Sequence, residues 1–131
     1  MVSIDTIFFD IIYYMLNKKY RFHSRGGVRY VYQKGKTVRT NKMSLIFVDN
    51  DRGFTRVAVV VSKKVIKSAV GRNRIRRRVY EAIRKNFDYL PKKRDYIFVI
   101  FSADVFTMPF SELEKRLGEL VVESKVCYNK Q

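Results

Sequence analysis

Two long stretches of the chain repeat apolar residues with the period of an α-helix. The first follows Gly71, which we expect to break the preceding segment. From about Arg72 it has apolar residues at i, i+4, i+7 and i+8, namely Ile75, Val79, Ala82 and Ile83. This spacing predicts an amphipathic helix packed on a core, and Pro91 ends it. The second stretch has a predicted capping box, Ser111 with Glu114, and one apolar face, formed by Leu113, Leu117, Leu120 and Val121.

Runs rich in β-branched residues lie between these helical segments. Residues 43–49 and 55–62 predict two strands separated by a turn at 50–54, and we expect them to pair as an antiparallel hairpin. Residues 37–40 predict a further short strand, and residues 95–101 predict a buried strand reached through the first long helix. A short helix is predicted before all of them, capped by Ser24 and stopped by Gly35. Its inward stripe is Val28, Val31 and Tyr32.

The first sixteen residues differ in character from the rest of the chain. They are strongly apolar but interrupted by Asp5 and Asp10, they lack the basic start and cleavage site of a signal peptide, and they are too short to span a bilayer. A helix would place six of them on one stripe, namely Ile4, Ile7, Phe8, Ile11, Ile12 and Met15. Either this segment packs on the domain or a partner, or the working chain begins near Met15. We therefore predict an extension at 1–16 and a single domain at 17–131.

The net charge of the chain limits the kinds of molecule that it is expected to bind. Lys and Arg number 28 against 12 Asp and Glu, which gives a net charge of +16 and a pI near 10.2 over 131 residues. The cations concentrate in residues 17–42 and 63–94, so we expect one electropositive surface that binds nucleic acid or an anionic membrane. The single cysteine, Cys127, excludes an internal disulfide and a cysteine zinc site, which favours a reducing cytoplasm.

The start of the first long helix is crowded with arginine. A helix N-terminus carries a partial positive charge, so cations there are unfavourable, yet five occur together, at Arg72, Arg74, Arg76, Arg77 and Arg78. A polyanion bound to this end relieves the repulsion, and helix starts bind phosphate with their free N–H groups. One flank combines amide, guanidinium and phenol groups suited to single-stranded RNA, at Asn73, Arg76, Tyr80 and Arg84.

Candidate catalytic groups are few. A protein nuclease needs clustered carboxylates for metal ions or a pair of histidines, and this chain has one histidine, His23. Asp49 and Asp51 lie in a predicted turn, where Asp is favoured for hydrogen bonds to the backbone rather than for metal binding. The sequence also has no phosphate-binding loop and no nucleophile elbow. It therefore predicts a binding protein with no metal site of its own.

Two segments carry a family resemblance. Ser62, Lys63 and Lys64, followed by the sequence A-V-G-R-N-R-I-R-R at residues 69–77, resemble the signature of the bacterial ribonuclease P protein component, and the resemblance extends over residues 18–128. It implies an α+β sandwich in the order α-β-β-β-α-β-α, with a mixed four-stranded sheet and a left-handed β-α-β crossover. It also implies a small protein partner of a catalytic RNA that removes the 5′ leader of precursor tRNA, with magnesium ions held by the RNA and no cofactor bound by the protein.

The resemblance assigns two groups of binding residues. The catalytic RNA would contact Ser62, Lys63, Lys64, Arg72, Asn73 and Arg74. The single-stranded leader would contact Val28, Tyr32, Ile46, Asn73, Arg76, Arg77 and Tyr80. Family members usually have an aromatic residue at the positions of Val28 and Ile46 and an acid at that of Gly27, so we expect Tyr32 and Tyr80 to take over base stacking.

Two further hypotheses compete with this function. A ribosomal or RNA-chaperone-like protein would bind folded RNA and show no preference for substrates that carry a leader. An autonomous nuclease is disfavoured by the missing carboxylate cluster.

Overall fold

A computed structural model describes residues 25–51, 53–86, 90–91 and 93–129. It contains three α-helices, namely α1 (Arg25–Lys34), α2 (Ala69–Lys85) and α3 (Phe110–Asn129), and four strands, namely β1 (Lys36–Arg39), β2 (Met43–Asp49), β3 (Arg56–Val61) and β4 (Arg94–Ile100). A short 3-10 helix, Ala103–Phe106, lies between β4 and α3. The order α-β-β-β-α-β-α is therefore confirmed. The predicted extension at 1–16, the predicted cap Ser24 and His23 lie outside the described residues.

The four strands form one mixed sheet in the order β1-β2-β4-β3. β4 pairs with β2 in antiparallel and with β3 in parallel orientation. The predicted hairpin between β2 and β3 is therefore wrong, because β4 lies between them. The β4 run, R-D-Y-I-F-V-I, is buried at six of its seven positions, which is typical of a central strand covered on both faces. The left hand of the crossover from β3 through α2 to β4 stays a prediction.

Side chains alternate between the two faces of the sheet. One face packs against α2 and α3 and forms the larger core, which includes Leu45, Phe47, Val59, Tyr96, Phe98, Ile75, Val79, Leu113 and Leu120. The opposite face packs against α1 through Val31, Ile46, Ala58 and Ile97. Since α1 has ten residues, it is about 15 Å long and covers only part of that face.

The structure corrects two predictions about where the long helices begin. Gly71 lies inside the first turn of α2, and Ser68 is the N-cap, whose hydroxyl accepts from the Gly71 amide at 3.2 Å. A Cβ at Gly71 would lie 2.5 Å from the Ile66 side chain, so glycine permits close packing there. Ser111 is the second residue of α3, and Glu114 accepts from Asn86 at 3.0 Å. The predicted capping box is therefore wrong.

The end of α1 follows the prediction more closely. The Gly35 amide donates to the Val31 carbonyl at 2.7 Å, and a Cβ on Gly35 would lie 2.5 Å from that oxygen. Val31 is fully buried and Val28 packs beside it. Tyr32, however, is 47% exposed, so its place in the inward stripe is wrong. It lies at the edge of the helix face that contacts the sheet.

Candidate nucleic-acid interface

The segment between β3 and α2 is a basic turn fixed to the start of the helix. Ser62, Lys63 and Lys64 are exposed, and the Ser62 hydroxyl accepts from the Lys64 amide at 3.1 Å. The Arg72 guanidinium donates to the carbonyls of Ile66, at 3.1 Å, and Lys67, at 2.8 Å. Arg72 therefore holds the turn against α2, so that Lys63 and Lys64 project beside the start of the helix.

Arg78 has a comparable role on the other side of α2. Its guanidinium donates to three carbonyls that follow β4, those of Val105 at 2.7 Å, Phe106 at 2.9 Å and Met108. Partial burial, with a smaller contribution from Arg74, lowers the pKa of Arg78 from its ordinary value. The hydrogen bonds to the three carbonyl oxygens stabilise the charged guanidinium and so compensate for its partial loss of solvation.

These two contacts revise the explanation of the arginine cluster. We expected the repulsion to be relieved by a polyanion, but Arg72 and Arg78 have carbonyl partners within the chain. The other three arginines differ, because no carboxylate among the described residues lies within ion-pair distance of Arg74, Arg76 or Arg77. Among the arginines of this cluster, the charge offered to a ligand is therefore concentrated on these three.

The exposed residues of α2 are pre-organised to different degrees. Arg76 donates to the side-chain oxygen of Asn73, which orients both groups on one flank of the helix. The Arg74 guanidinium lies 4.8 Å from the ring centroid of Phe106, within the range of a cation–π contact. Asn73, Arg74 and Arg77 are exposed and Arg76 is half-buried. Arg77 adds a charge beside them.

Tyr80 continues this flank but is largely buried. Only 8% of it is exposed, and its hydroxyl accepts from the Val59 amide at 3.2 Å. Because β3 is the edge strand of the sheet, this bond places α2 along that edge. Further along, Arg84 pairs with Glu81 at 2.9 Å. The ring of Tyr80 therefore offers little surface to a base, its stacking role stays a prediction, and Arg84 forms an ion pair within its own helix.

The α1 side of the sheet contains the other predicted leader residues. Val28 and Ile46 meet beneath α1, where Ile46 is only 7% exposed. Ile46 is a buried member of the smaller core and offers little surface to a ligand, whereas Val28 is half-buried. Tyr32 has the accessible ring of this group, and burial raises the pKa of its phenol. The leader residues thus lie in two places, beside α1 and along α2, and β3 lies between them.

Sequence reasoning missed one pair on this face. The Arg39 guanidinium lies 4.7 Å from the ring centroid of Phe101. Arg39 aligns with Ser44, and Ser44 aligns with Val99, so the pair extends the row formed by Val99 and Val60. This places an aromatic ring and a cation at the part of the face that lies beyond the α1 contacts. Arg39 belongs to β1 and Phe101 directly follows β4. The pair can therefore be recognised only once the register of the strands is known.

The opposite end of the sheet has a polar cavity of about 420 Å³ beside the start of α1. Asp95 accepts from Asn50 at 2.7 Å and from Arg56 at 2.9 and 2.7 Å. Asp49 pairs with Arg94 at 3.2 Å, and Asp51 is exposed.

Within the described part of the chain, no group of three or more His, Cys, Asp or Glu residues is placed to hold a metal ion, and no helix is long and apolar enough to cross a bilayer.

Comparisons with known proteins agree on one family. The family model described as Ribonuclease P matches residues 16–125. The chain is 34% identical over 116 residues to the ribonuclease P protein component of Pseudanabaena sp., covering 87% of this chain and 98% of that protein. It is 32% identical over 108 residues to that of Syntrophus aciditrophicus, covering 82% and 89%.

Solved structures share the fold. The RNase P protein of Staphylococcus aureus superposes with a TM-score of 0.72 at 23% identity, covering 82% of this chain and 96% of that chain. That of Thermotoga maritima gives 0.70 at 24%, covering 77% and 94%.

Proposed function

The chain belongs to the ribonuclease P protein component family, and on that premise we propose that it binds the catalytic RNA and the single-stranded 5′ leader of precursor tRNA. The hydrolysis is assigned to the catalytic RNA and its magnesium ions, as the resemblance implies. The protein would act in the bacterial cytoplasm. The family match disfavours the ribosomal or RNA-chaperone-like alternative.

The single observation that carries this proposal is the cluster of exposed basic residues beside the start of α2. Lys63 and Lys64 project from a turn that Arg72 fixes to the helix, and Arg74 and Arg77 are exposed next to them. Fixed cations neutralise phosphates and release counterions, so binding is strong in dilute salt and weakens as salt rises. They also replace part of the magnesium that folded RNA needs for charge neutralisation.

The structure suggests how the two RNA surfaces divide. We assign the catalytic RNA to Lys63, Lys64 and Arg74, with Ser62 and Arg72 shaping the turn. We assign the leader to the groove bounded by Tyr32 of α1 and the Asn73–Arg76 pair of α2, with Arg77 beside it. In this assignment Ile46 and Tyr80 support the groove from below, because each is largely covered by protein, and the half-buried Val28 lies beside them.

The test is a processing assay with a bacterial ribonuclease P RNA and a precursor tRNA. We expect the full-length protein to lower the magnesium concentration at half-maximal cleavage, and the protein alone to cleave nothing. An unchanged magnesium requirement, or cleavage by protein freed of RNA, would refute the proposal.

Two variant pairs test the division of the surface. Lys63→Ala with Lys64→Ala should weaken binding to the catalytic RNA by about tenfold or more, since each phosphate contact contributes to the salt-dependent affinity. Arg76→Ala with Arg77→Ala should instead reduce the preference for a substrate with a leader over one without it. Glu119→Gln on the distant face of α3 is the matched control. If both pairs gave equal losses in both assays, the assignment would be wrong.

A further inference from the structure

The described residues leave one apolar groove on the side of the domain formed by the two long helices. It encloses about 290 Å³ between the last turn of α2 and the middle of α3, and we call it the α2–α3 groove, defined by Ala82, Ile83, Leu90, Leu117, Val121 and Val122. Val122 is 60% exposed, and Val126, one turn further along α3, is 49% exposed. A contiguous exposed apolar surface of this kind marks an interaction site.

RNA is a poor occupant for this groove. Its walls are mainly apolar, with Asn86, Glu114 and Lys125 as the polar lining residues, and the outward side of α3 carries Glu119 and Glu123, which repel phosphate. The groove begins at Ala82, ten residues along α2 from Arg72, which corresponds to about 15 Å of helix axis. The partner that fits is an apolar segment, because the exposed Val122 and Val126 lie one turn apart on α3 and extend the apolar lining along it.

We propose that the N-terminal segment of the same chain, Met1 to Leu16, binds in the α2–α3 groove. This segment has a predicted stripe of large apolar side chains, including Ile7, Phe8 and Ile11. The family match begins at residue 16, so the segment belongs to this chain rather than to the shared domain. Its two charged residues are Asp5 and Asp10, and the groove lining contains one cation, Lys125, and one acid, Glu114.

The start of α1 and the mouth of the groove lie at the same end of the sheet. Gly27 of α1 lines the polar cavity with Asp49 and Asp51, and the Asn50 amide donates to the Lys93 carbonyl at 2.8 Å. Leu90, which lines the groove, is three residues before Lys93. The chain therefore needs only to pass around this end of the sheet to reach the groove.

The linker is long enough and has suitable charge. Residues 17–24 form a connection of eight residues, which can extend about 26 Å. The two helix layers lie on opposite faces of the sheet at about 10 Å each, so the required span is about 20 Å. The linker contains Lys18, Lys19 and Arg21 and no acid, which would suit a route past the exposed Asp51.

A photo-cross-linking experiment on the full chain tests this arrangement. Phe8 is replaced by the photoreactive amino acid benzoylphenylalanine, and a mixture of isotopically heavy and light protein is irradiated. We expect the cross-linked peptide to come from residues 117–126 and to join segments of the same copy. Cross-links between heavy and light copies would assign the groove to a second molecule and overturn the proposal. Cross-links elsewhere, or none above background, would overturn it as well.

Charge inserted into the groove provides the matched comparison. Val122→Asp should reduce the intramolecular cross-link at least fivefold, whereas Val70→Asp, which changes a valine that is 78% exposed outside the groove, should leave it unchanged. Val126→Asp repeats the test if Val122→Asp folds poorly. Retained precursor-tRNA processing by these groove variants shows that the proposed function does not depend on this docking. Equal cross-linking in the wild-type chain and both groove variants would refute the docking alone.

Discussion

Asp95 should be among the residues whose loss destabilises the domain most. It lies at the start of the central strand β4, is 4% exposed, and accepts from Arg56 at 2.9 and 2.7 Å and from Asn50 at 2.7 Å. Asp95→Asn keeps the shape but removes the charge and turns an amide N–H₂ group toward the guanidinium. The side chain of Arg56 is only 15% exposed, so its charge would lose its carboxylate in a poorly solvated place.

The size of the expected loss of stability follows from the burial of the Arg56–Asp95 ion pair. Removing one partner of a buried ion pair costs about 3 to 5 kcal/mol, and the adjoining polar cavity supports the lower end, about 3 kcal/mol. For a domain of this size that corresponds to a fall in the unfolding midpoint of about 12 °C. The control is Glu112→Gln, which breaks the exposed i,i+4 pair with Arg116 and should cost under about 0.5 kcal/mol.

The assay is urea unfolding of the RNA-free protein, followed by circular dichroism for each single variant. Arg56→Met alone and Arg56→Met combined with Asp95→Asn complete the cycle, and the double variant should recover part of the lost stability because no charge is left unpaired. Equal, small losses for Asp95→Asn and Glu112→Gln would refute the reasoning, since the pair at Asp95 would then be as well solvated as a surface pair.

Three further variants test individual contacts. Gly35→Ala should destabilise the domain by about 2 kcal/mol in urea unfolding, because its Cβ would lie 2.5 Å from the Val31 carbonyl; an unchanged midpoint would contradict this. Tyr80→Phe should cost about 1 to 2 kcal/mol, because it leaves the buried Val59 amide without its acceptor, and a neutral outcome would count against that bond. Burial raises the pKa of Tyr96 to about 12, so the unfolded state loses its proton first and stability should fall by about 2 kcal/mol between pH 10 and 12. Tyr96→Phe should remove this alkaline decline, and a decline of equal size in that variant would assign it to another group.

Local signals in the sequence predicted the elements better than their partners. The periods at Ile75 and Leu113 identified both long helices, and the order of elements was confirmed. The pairing of β2 with β3 was wrong, because a turn between neighbouring strands favours a hairpin while the competing partner, β4, is more than thirty residues further along. The strand that is buried on both faces takes the central position of the sheet. The nearly continuous apolar run of β4 was the feature of the sequence that indicated this position.

The candidate site shows the same limit at the level of single side chains. The crowding argument grouped Arg72 and Arg78 with the other arginines at the start of α2, whereas these two bind carbonyls from neighbouring segments of the chain. Tyr80 had the right period for an exposed flank, but its hydroxyl reaches the edge of β3. These contacts join residues distant in sequence, so no spacing rule reveals them. Lys63, Lys64 and Arg74 of the predicted RNA-binding group are exposed, and their contact with RNA stays a prediction.

The central position of β4 also determines when the sheet can be completed. A ribosome synthesises β1, β2, β3 and α2 first, and until residue 94 has emerged, β2 and β3 have no common neighbour to join them. The nascent chain therefore holds two open backbone edges for the time needed to make the last third of the protein, a stage at which other chains can pair with them. Insertion of β4 closes both at once, so we expect the domain to form late and cooperatively, after release rather than during translation.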